Sequence, residues 1–358
     1  MSRNFSPWAS WMLKLAATEP HDPLPSDRGA FEPWRAGVRA RLDGWLAPTP
    51  EPVPLDLETT SSVWVSAPSS VAGGETASLD QVGGYTRHRV VFDTEATMSV
   101  PAFLLVPDAR RQPGSAVLAI HGHGRGKDEI CGLEPGHEVI VDPDDPPPPN
   151  GDYAHQLALA GHVVLAPDLR CFGERADWNP PDHYGCDTNL VHAVMAGENP
   201  LAANLWDLAR CLDVLAGHRL VDPARMGVAG LSYGGTCSLF LAAHDSRVAA
   251  AVVSGYVSSV TASHRIPWNM CGSQVLPAMI GHLDHVDLLA LVAPRPVLIE
   301  SGTHDPLFPV EVARTTVHQA HGVYEAMGAP EHLVHDVFEA SHQWHGALAL
   351  PFLAEHLA

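Results

Sequence analysis

From residue 85 onward the hydrophobic positions fall into short runs separated by amphipathic stretches, and this alternation carries the fold. Arg87–Phe92 and Met98–Val106 read as two strands joined into a hairpin by the polar DTEAT stretch. Six further runs are apolar almost throughout: Ala116–Ile120, His162–Ala166, Met226–Gly230, Val248–Ser254, Pro296–Ser301 and Leu333–Phe338. Helical patterns lie near 153–160, 199–217, 233–244, 309–326 and 345–357. Strands without a polar face, separated by helices, predict an α/β fold: a mostly parallel central sheet with helices on both faces. Upstream, Phe31, Trp34, Val38, Leu42 and Trp45 recur at steps of three and four, which predicts helix within residues 1–50 and a stripe that must pack on something. Residues 47–80, rich in Pro, Ser, Thr and Gly, read as a connector with at most one short strand near Ser62–Ser66. The expected organisation is an N-terminal helical extension with its linker over 1–80 and a main α/β domain over 81–358.

Composition narrows the partners. The 358 residues are 46% hydrophobic, enough for a substantial core, and 41 Asp plus Glu against 21 Lys plus Arg give a formal charge of -20. Such a field repels nucleic-acid backbones and anionic membranes, so neither is an expected partner. The six cysteines, at 131, 171, 186, 211, 237 and 271, include no CxxC pair and read as buried or incidental thiols, not as a disulfide framework or a zinc site. Ser10 and Lys14 interrupt the apolar residues of the first twenty positions, and no apolar run is long enough for a bilayer, which sets the expectation of a cytoplasmic protein. DPDDPPPPN at 142–150 can form neither helix nor central strand and is expected as a surface loop.

The sharpest chemical motif is Gly230-Leu-Ser-Tyr-Gly234, a GxSxG between an apolar strand and a helical run that opens with small residues. That context is what a nucleophile elbow needs: a tight strand-to-helix turn strains the serine backbone and lifts the hydroxyl above the sheet edge. The alternative is a serine that merely caps a helix. The strand Ala116–Ile120 runs into His121-Gly-His-Gly124, whose backbone N–H groups can face an oxyanion; the expected donors are those of His123 and Tyr233. The competing readings are a His121/His123 metal pair, with no ligand cluster expected nearby, or a simple glycine turn.

A serine hydroxyl needs a base, and the base needs an acid to hold its tautomer. Asp305 and His342 each follow a late strand, in loops where a parallel sheet gathers its site, and complete an expected triad of Ser232, Asp305 and His342. His345 is the competing base but is expected inside the final helix, and Asp284 and Asp287 precede their strand. Four HxxH pairs, at 282/285, 318/321, 332/335 and 342/345, read as surface imidazoles. Asp168-Leu-Arg-Cys-Phe-Gly-Glu-Arg175 is expected to fold back on itself through ion pairs, with a structural role. Trp268, Cys271 and Gln274 lie in a long inter-strand stretch that could form a lid or pocket wall.

Taken together, IHGHG at 120–124, DLRCFGER at 168–175, GLSYGG at 230–235, APRPVLIESGTHDP at 293–306 and SHQWHG at 341–346 resemble the α/β-hydrolase superfamily, in the bacterial branch of acetyl xylan esterases and dienelactone hydrolases. The resemblance covers roughly residues 85–358. It implies hydrolysis of carboxylic esters through an acyl-enzyme, with no metal or organic cofactor. Ser232 stands where dienelactone hydrolases carry cysteine, and GLSYGG differs from the GxSQG elbow of the sugar-deacetylating esterases, so a sugar acetate is one candidate among small esters. A peptidase or amidase of the same fold, or a non-catalytic binding protein built on it, remain the alternatives. Between Asp128 and Leu169 there are nine acids and no Lys or Arg, which points to a neutral small-molecule ester or, equally, to a solvated acidic rim.

Overall fold

The computed structural model describes residues 5–17, 23–67, 83–133, 150–177, 184–266 and 269–358. Most of the Pro-rich 142–150 stretch, the expected boundary near 80 and Trp268 lie outside these residues.

Among the described residues nine strands form one sheet: β1 (Glu58–Ser66), β2 (Gly84–Glu95), β3 (Met98–Pro107), β4 (Gly114–Ile120), β5 (Val163–Pro167), β6 (Val221–Leu231), β7 (Val248–Ser254), β8 (Val297–Gly302) and β9 (Leu333–Phe338). Their order is β1-β2-β3-β5-β4-β6-β7-β8-β9. The β1, β2 and β3 pairings are antiparallel, and from β5 to β9 every neighbouring pair is parallel. The chain leaves β4 toward β5 on one side and then crosses back to β6 on the other. That reversal makes the carboxyl ends of β4 and β6 the topological switch point, where open α/β sheets form their crevice.

Side-chain alternation along the central strands feeds two cores. Ala116, Leu118 and Ile120 of β4, with Met226 and Val228 of β6, enter the larger cluster; Val117, Ala119, Ala229 and Leu231 face the smaller one. Helices Pro200–Gly217, Tyr233–His244, His285–Val292 and Val310–Ala326 cover the first face, and Tyr153–Leu159 and Ala349–His356 cover the second. Burial on both faces explains why these strands read as continuous apolar runs.

The expected N-terminal helix is Arg28–Leu46, opened by Asp27, whose carboxylate accepts from Gly29 N and Ala30 N. Its stripe of Phe31, Val38, Leu42 and Leu46 is buried in the larger core, with Trp34 and Trp45 partly buried against it. Each fully buried side chain of this kind contributes about 1.5–3 kcal/mol. The helix is therefore held by the main body, and β1 in the connector extends the sheet edge through eight register positions against β2. A cleft of ≈ 270 Å³ lined by Arg39, Leu46, Trp206 and His244 lies at the C-terminal end of Tyr233–His244, roughly 17 Å along the helix axis from its first residue. Among the described residues no helix is long and apolar enough to cross a membrane.

The fold also buries imidazoles, among them His285 of an HxxH pair that was expected on the surface. His285 is fully enclosed and stacked on Tyr256, with ring centroids 4.4 Å apart, and its Nδ1 accepts from Ser258 N at 3.0 Å. Burial pushes His162, His285 and His335 down to about 4, from an ordinary 6.5. Between these values the unfolded chain binds protons that the folded chain refuses, so stability falls as pH is lowered through that window. Urea midpoints measured at pH 7 and pH 5 are expected to drop accordingly; equal midpoints would contradict this account.

Candidate active site

The strand β6 ends at Leu231, and the helix Tyr233–His244 begins two residues later. Ser232, between them, has φ 59 and ψ -119, a backbone conformation that residues with a Cβ rarely adopt. Three glycines make the turn feasible. A Cβ on Gly234 would run into the Ile120 carbonyl, one on Gly230 into the Gly234 carbonyl, and one on Gly235 would lie 2.6 Å from Ser254 O. The strained residue is tied down by Ser232 N donating to Ser254 O at 2.9 Å and Thr236 N donating to Ser232 O at 2.9 Å. Ser232 is half-buried at the positive end of a twelve-residue helix whose first N–H groups have no intrahelical acceptor.

Beside it runs the loop after β4. A Cβ on Gly122 would lie 2.8 Å from Leu231 O and 3.2 Å from Ser232 Cβ, so this loop touches the elbow directly. His121 is structural. Its Nδ1 lies 2.7 Å from Gly122 O and its Nε2 accepts from Leu169 N at 2.9 Å, which fixes the Nδ1–H tautomer. Burial holds this imidazole neutral. Both nitrogens are thus occupied, and the His121/His123 metal pair does not form.

Two residues beyond Arg125 the chain reaches Lys127, one of only two lysines, and it is buried. Its Nζ lies 2.7 Å from Asp168 Oδ2 and 2.6 Å from Glu174 Oε1, and its backbone N donates to Asp168 Oδ1 at 2.8 Å. Arg89 also pairs with Glu174. Next to this network, Arg170 and Arg175 both reach Asp207 Oδ2 at 2.8 Å. The 168–175 segment does fold back, Glu174 N donating to Asp168 Oδ2 at 3.0 Å, but its ion pairs run to Lys127, Arg89, Glu95 and Asp207 outside the segment and not among its own charges, and through Lys127 it clamps the β4 loop to the end of β5.

At the other side of the switch point, Asp305 follows β8 and His342 follows β9. His342 Nδ1 lies 2.7 Å from Asp305 Oδ2, while Asp305 Oδ1 accepts from Leu307 N at 2.8 Å and Phe308 N at 3.0 Å. Phe308 stacks on the imidazole with centroids 5.7 Å apart. Gly255, with φ 53, would place a Cβ 3.0 Å from His342 Cε1 and 3.0 Å from Leu231 Cδ1, so the imidazole sits over the residue that follows Ser254 and beside the elbow. Its Nε2 is buried and has no hydrogen-bond partner among the described residues. Asp305 and His342 thus pair beside the elbow that carries Ser232, with no hydrogen bond from Ser232 to His342 Nε2 among the described residues. His345 lies in the loop before the last helix, which begins only at Ala349, because Glu300 captures that segment: its carboxylate accepts from His345 N at 3.3 Å and Gly346 N at 2.8 Å. The His345 imidazole is engaged elsewhere, with Nδ1 2.6 Å from Asp336 Oδ2 and its ring stacked on Phe338. Asp284 is an N-cap, accepting from His285 N, and Asp287 closes a capping box with it.

Spacing in the chain concealed one assembly. Cys186, in the helix Gly185–Ala196 that the sequence pattern did not mark, and Cys271, in the 265–277 stretch, converge on His123. Their ligand atoms all lie within 4.8 Å of one another, and His123 Nε2 is 3.2 Å from Cys271 Sγ. The Cys271 thiol beside it holds the Cys186 thiol below its ordinary range, while Cys186 and burial push Cys271 up. Both thiols are buried, as expected, and only the fold shows that they lie together. Gln274 is buried as well, donating to Thr236 Oγ1 at 3.0 Å, so this part of the stretch is tied to the helix that follows Ser232.

The profile of the Abhydrolase family matches residues 78–345. YtaP of Bacillus subtilis (strain 168), a protein whose name describes it as a hydrolase, is 26% identical over 254 residues, covering 68% of this chain and 77% of its own. A Bacteroides fragilis NCTC 9343 structure described as an acetyl xylan esterase superposes with a TM-score of 0.74 at 18% identity, covering 95% of this chain and 83% of that one. A glucuronoyl esterase from Solibacter usitatus superposes with a TM-score of 0.63 at 15% identity, covering 96% and 100%. At these identities the two structures establish a shared fold, and the α/β architecture read from the strand and helix pattern is the one observed.

Removing the buried cation tests the clamp. Lys127→Met leaves the Asp168 charge enclosed without its counter-ion and is expected to cost about 3–5 kcal/mol of stability, seen as a lowered denaturant midpoint. A variant as stable as the wild type would show that the ion pair does not hold the loop.

Proposed function

Because the chain belongs to the Abhydrolase family, we propose that it is a serine carboxylic ester hydrolase that works through an acyl-enzyme. One observation carries the reading: the His342 imidazole gives Nδ1 to the Asp305 carboxylate and keeps Nε2 buried and unengaged, beside a serine held in elbow geometry. A neutral imidazole donating from Nδ1 presents a lone pair at Nε2, which is the form a general base requires.

In this mechanism Ser232 Oγ attacks the ester carbonyl while His342 Nε2 takes its proton. Asp305 stays ionised, orients the ring and stabilises the imidazolium; its second oxygen, already held by Leu307 N and Phe308 N, keeps it from rotating away. The negative charge that develops on the carbonyl oxygen is met by the N–H groups of His123 and Tyr233. The first lies on the loop packed against Ser232, and the second is the first residue of the helix. The imidazolium then protonates the departing alcohol, and His342 activates a water that releases the acid. No step requires a cofactor.

The substrate is proposed to be an uncharged small ester, a sugar ester among the candidates. The support is the acidic stretch leaving the β4 loop. Of its nine acids, Asp168 and Glu129 are paired with Lys127 and Arg125, Asp128 and Asp152 are further described members, and the other five lie outside the described residues. The net negative charge of this stretch in the sequence, within a chain of formal charge -20, is the basis for expecting anionic esters to be disfavoured.

A fluorophosphonate probe is expected to label Ser232, and Ser232→Ala is expected to lose labelling together with about 10⁴-fold or more of kcat on short p-nitrophenyl esters. Unchanged turnover in the variant would sink the assignment. At low salt a neutral ester is expected to show a higher kcat/KM than its anionic isostere, with the gap narrowing as salt is added; equal values would remove the case for charge selection.

A further inference from the structure

We propose that His123, Cys186 and Cys271 form a binding site for a thiophilic d¹⁰ cation, with zinc(II) the fitting ion. The three donors come from three separate parts of the chain: the loop after β4, the helix Gly185–Ala196 and the stretch between β7 and the helix His285–Val292. Their ligand atoms already lie within a 4.8 Å envelope. Metal–sulfur bonds of about 2.3 Å and metal–nitrogen bonds of about 2.0 Å in a tetrahedron place sulfurs about 3.8 Å apart and sulfur and nitrogen about 3.5 Å apart, so the ion fits without a backbone rearrangement.

The surroundings hold the donors in place. The His123 ring is packed among Phe172, Tyr184 and Tyr233, with centroids 5.4, 5.6 and 5.2 Å away, and this directs Nε2 at Cys271 Sγ. Gly272 N donates to Asp187 Oδ1 at 2.8 Å, stitching the residue after Cys271 to the residue after Cys186. A Cβ on Gly272 would lie 2.7 Å from Cys186 O, so only glycine permits this approach. Both sulfurs are buried, and His123 is the partly exposed member through which an ion can enter. A Cys186–Cys271 disulfide would leave the aimed imidazole without a purpose, and the third donor is what favours a cation. Two sulfurs and one nitrogen leave a fourth position for water or another small ligand.

The consequence for turnover rests on the ester-hydrolase reading. His123 carries one of the proposed oxyanion donors, so an ion on its side chain would fix the backbone N–H one residue from the loop's contact with Ser232. His123 is in this respect a positioning residue whose side chain acts through its own main chain.

The test is metal loading of the whole protein. Protein kept under reductant and stripped with a chelator is titrated with cobalt(II), which reports thiolate ligation by near-ultraviolet charge-transfer absorption and tetrahedral geometry by intense visible bands. About one ion per chain is expected, displaced by zinc. Cys186→Ser and Cys271→Ser are expected to lose the charge-transfer signal, whereas Cys171→Ser, outside the cluster, keeps it; His123→Asn, with both thiols intact, loses the tetrahedral bands and so stands independently of any cysteine variant that fails to fold. Sub-stoichiometric binding by folded wild type, spectra that survive Cys186→Ser, or a Cys186–Cys271 disulfide in place of metal would overturn the site. Fluorophosphonate labelling of Ser232 is read on the same samples. Its failure with cobalt binding intact would count against the hydrolase reading alone, and the converse against the metal site alone.

Discussion

The arrangement depends on a backbone conformation that the chain adopts at one residue and pays for with three glycines. Ser232 sits at φ 59, and it can remain there because Gly230, Gly234 and Gly235 let β6, the following helix, β4 and β7 approach at distances no side chain would allow. Everything else at the site is referenced to that turn. Gly122 lies against it from the β4 loop, Ser254 accepts its N–H from β7, and His342 packs over Gly255. The sheet contributes the convergence, since the chain's reversal after β4 opens a crevice at the ends of β4 and β6.

Charged groups that the core could not tolerate singly are arranged around this turn in paired sets. Lys127 is enclosed with Asp168 and Glu174, Asp207 takes Arg170 and Arg175, and Glu300 captures the backbone of the segment that carries His345. Such groups are costly to bury unless paired, and each pairing fixes a loop at the carboxyl edge of the sheet. The loop that carries His123 and the segment just after His342 are therefore held from behind by charged groups, whereas the Ser232 turn is held by backbone hydrogen bonds.

Legibility in the sequence followed the range of the interaction. The central strands, the GLSYGG turn and the late positions of Asp305 and His342 are local patterns, and each was readable because a buried parallel strand or a tight turn restricts its own residues. The DLRCFGER stretch was readable as a folded-back loop for the same reason. His345 misled because an apolar run after it suggests an earlier helix start; Glu300, 45 residues away, holds that segment open instead. The helix His285–Val292 escaped notice since it is buried all round and shows no polar face. Cys186, Cys271 and His123 are separated by 63 and 85 residues, and only the folded chain brings their ligand atoms together.

The central claim is that Ser232 carries the acyl group during turnover. Rapid acid quenching of the enzyme in the presence of an excess of a p-nitrophenyl ester, followed by peptide mapping by mass spectrometry, tests it directly. An acyl group is expected on the peptide containing Ser232 and on Ser232 itself, in step with a burst of nitrophenol approaching one per chain. Turnover with no acylated residue, or with the acyl group on a cysteine or histidine, would contradict it.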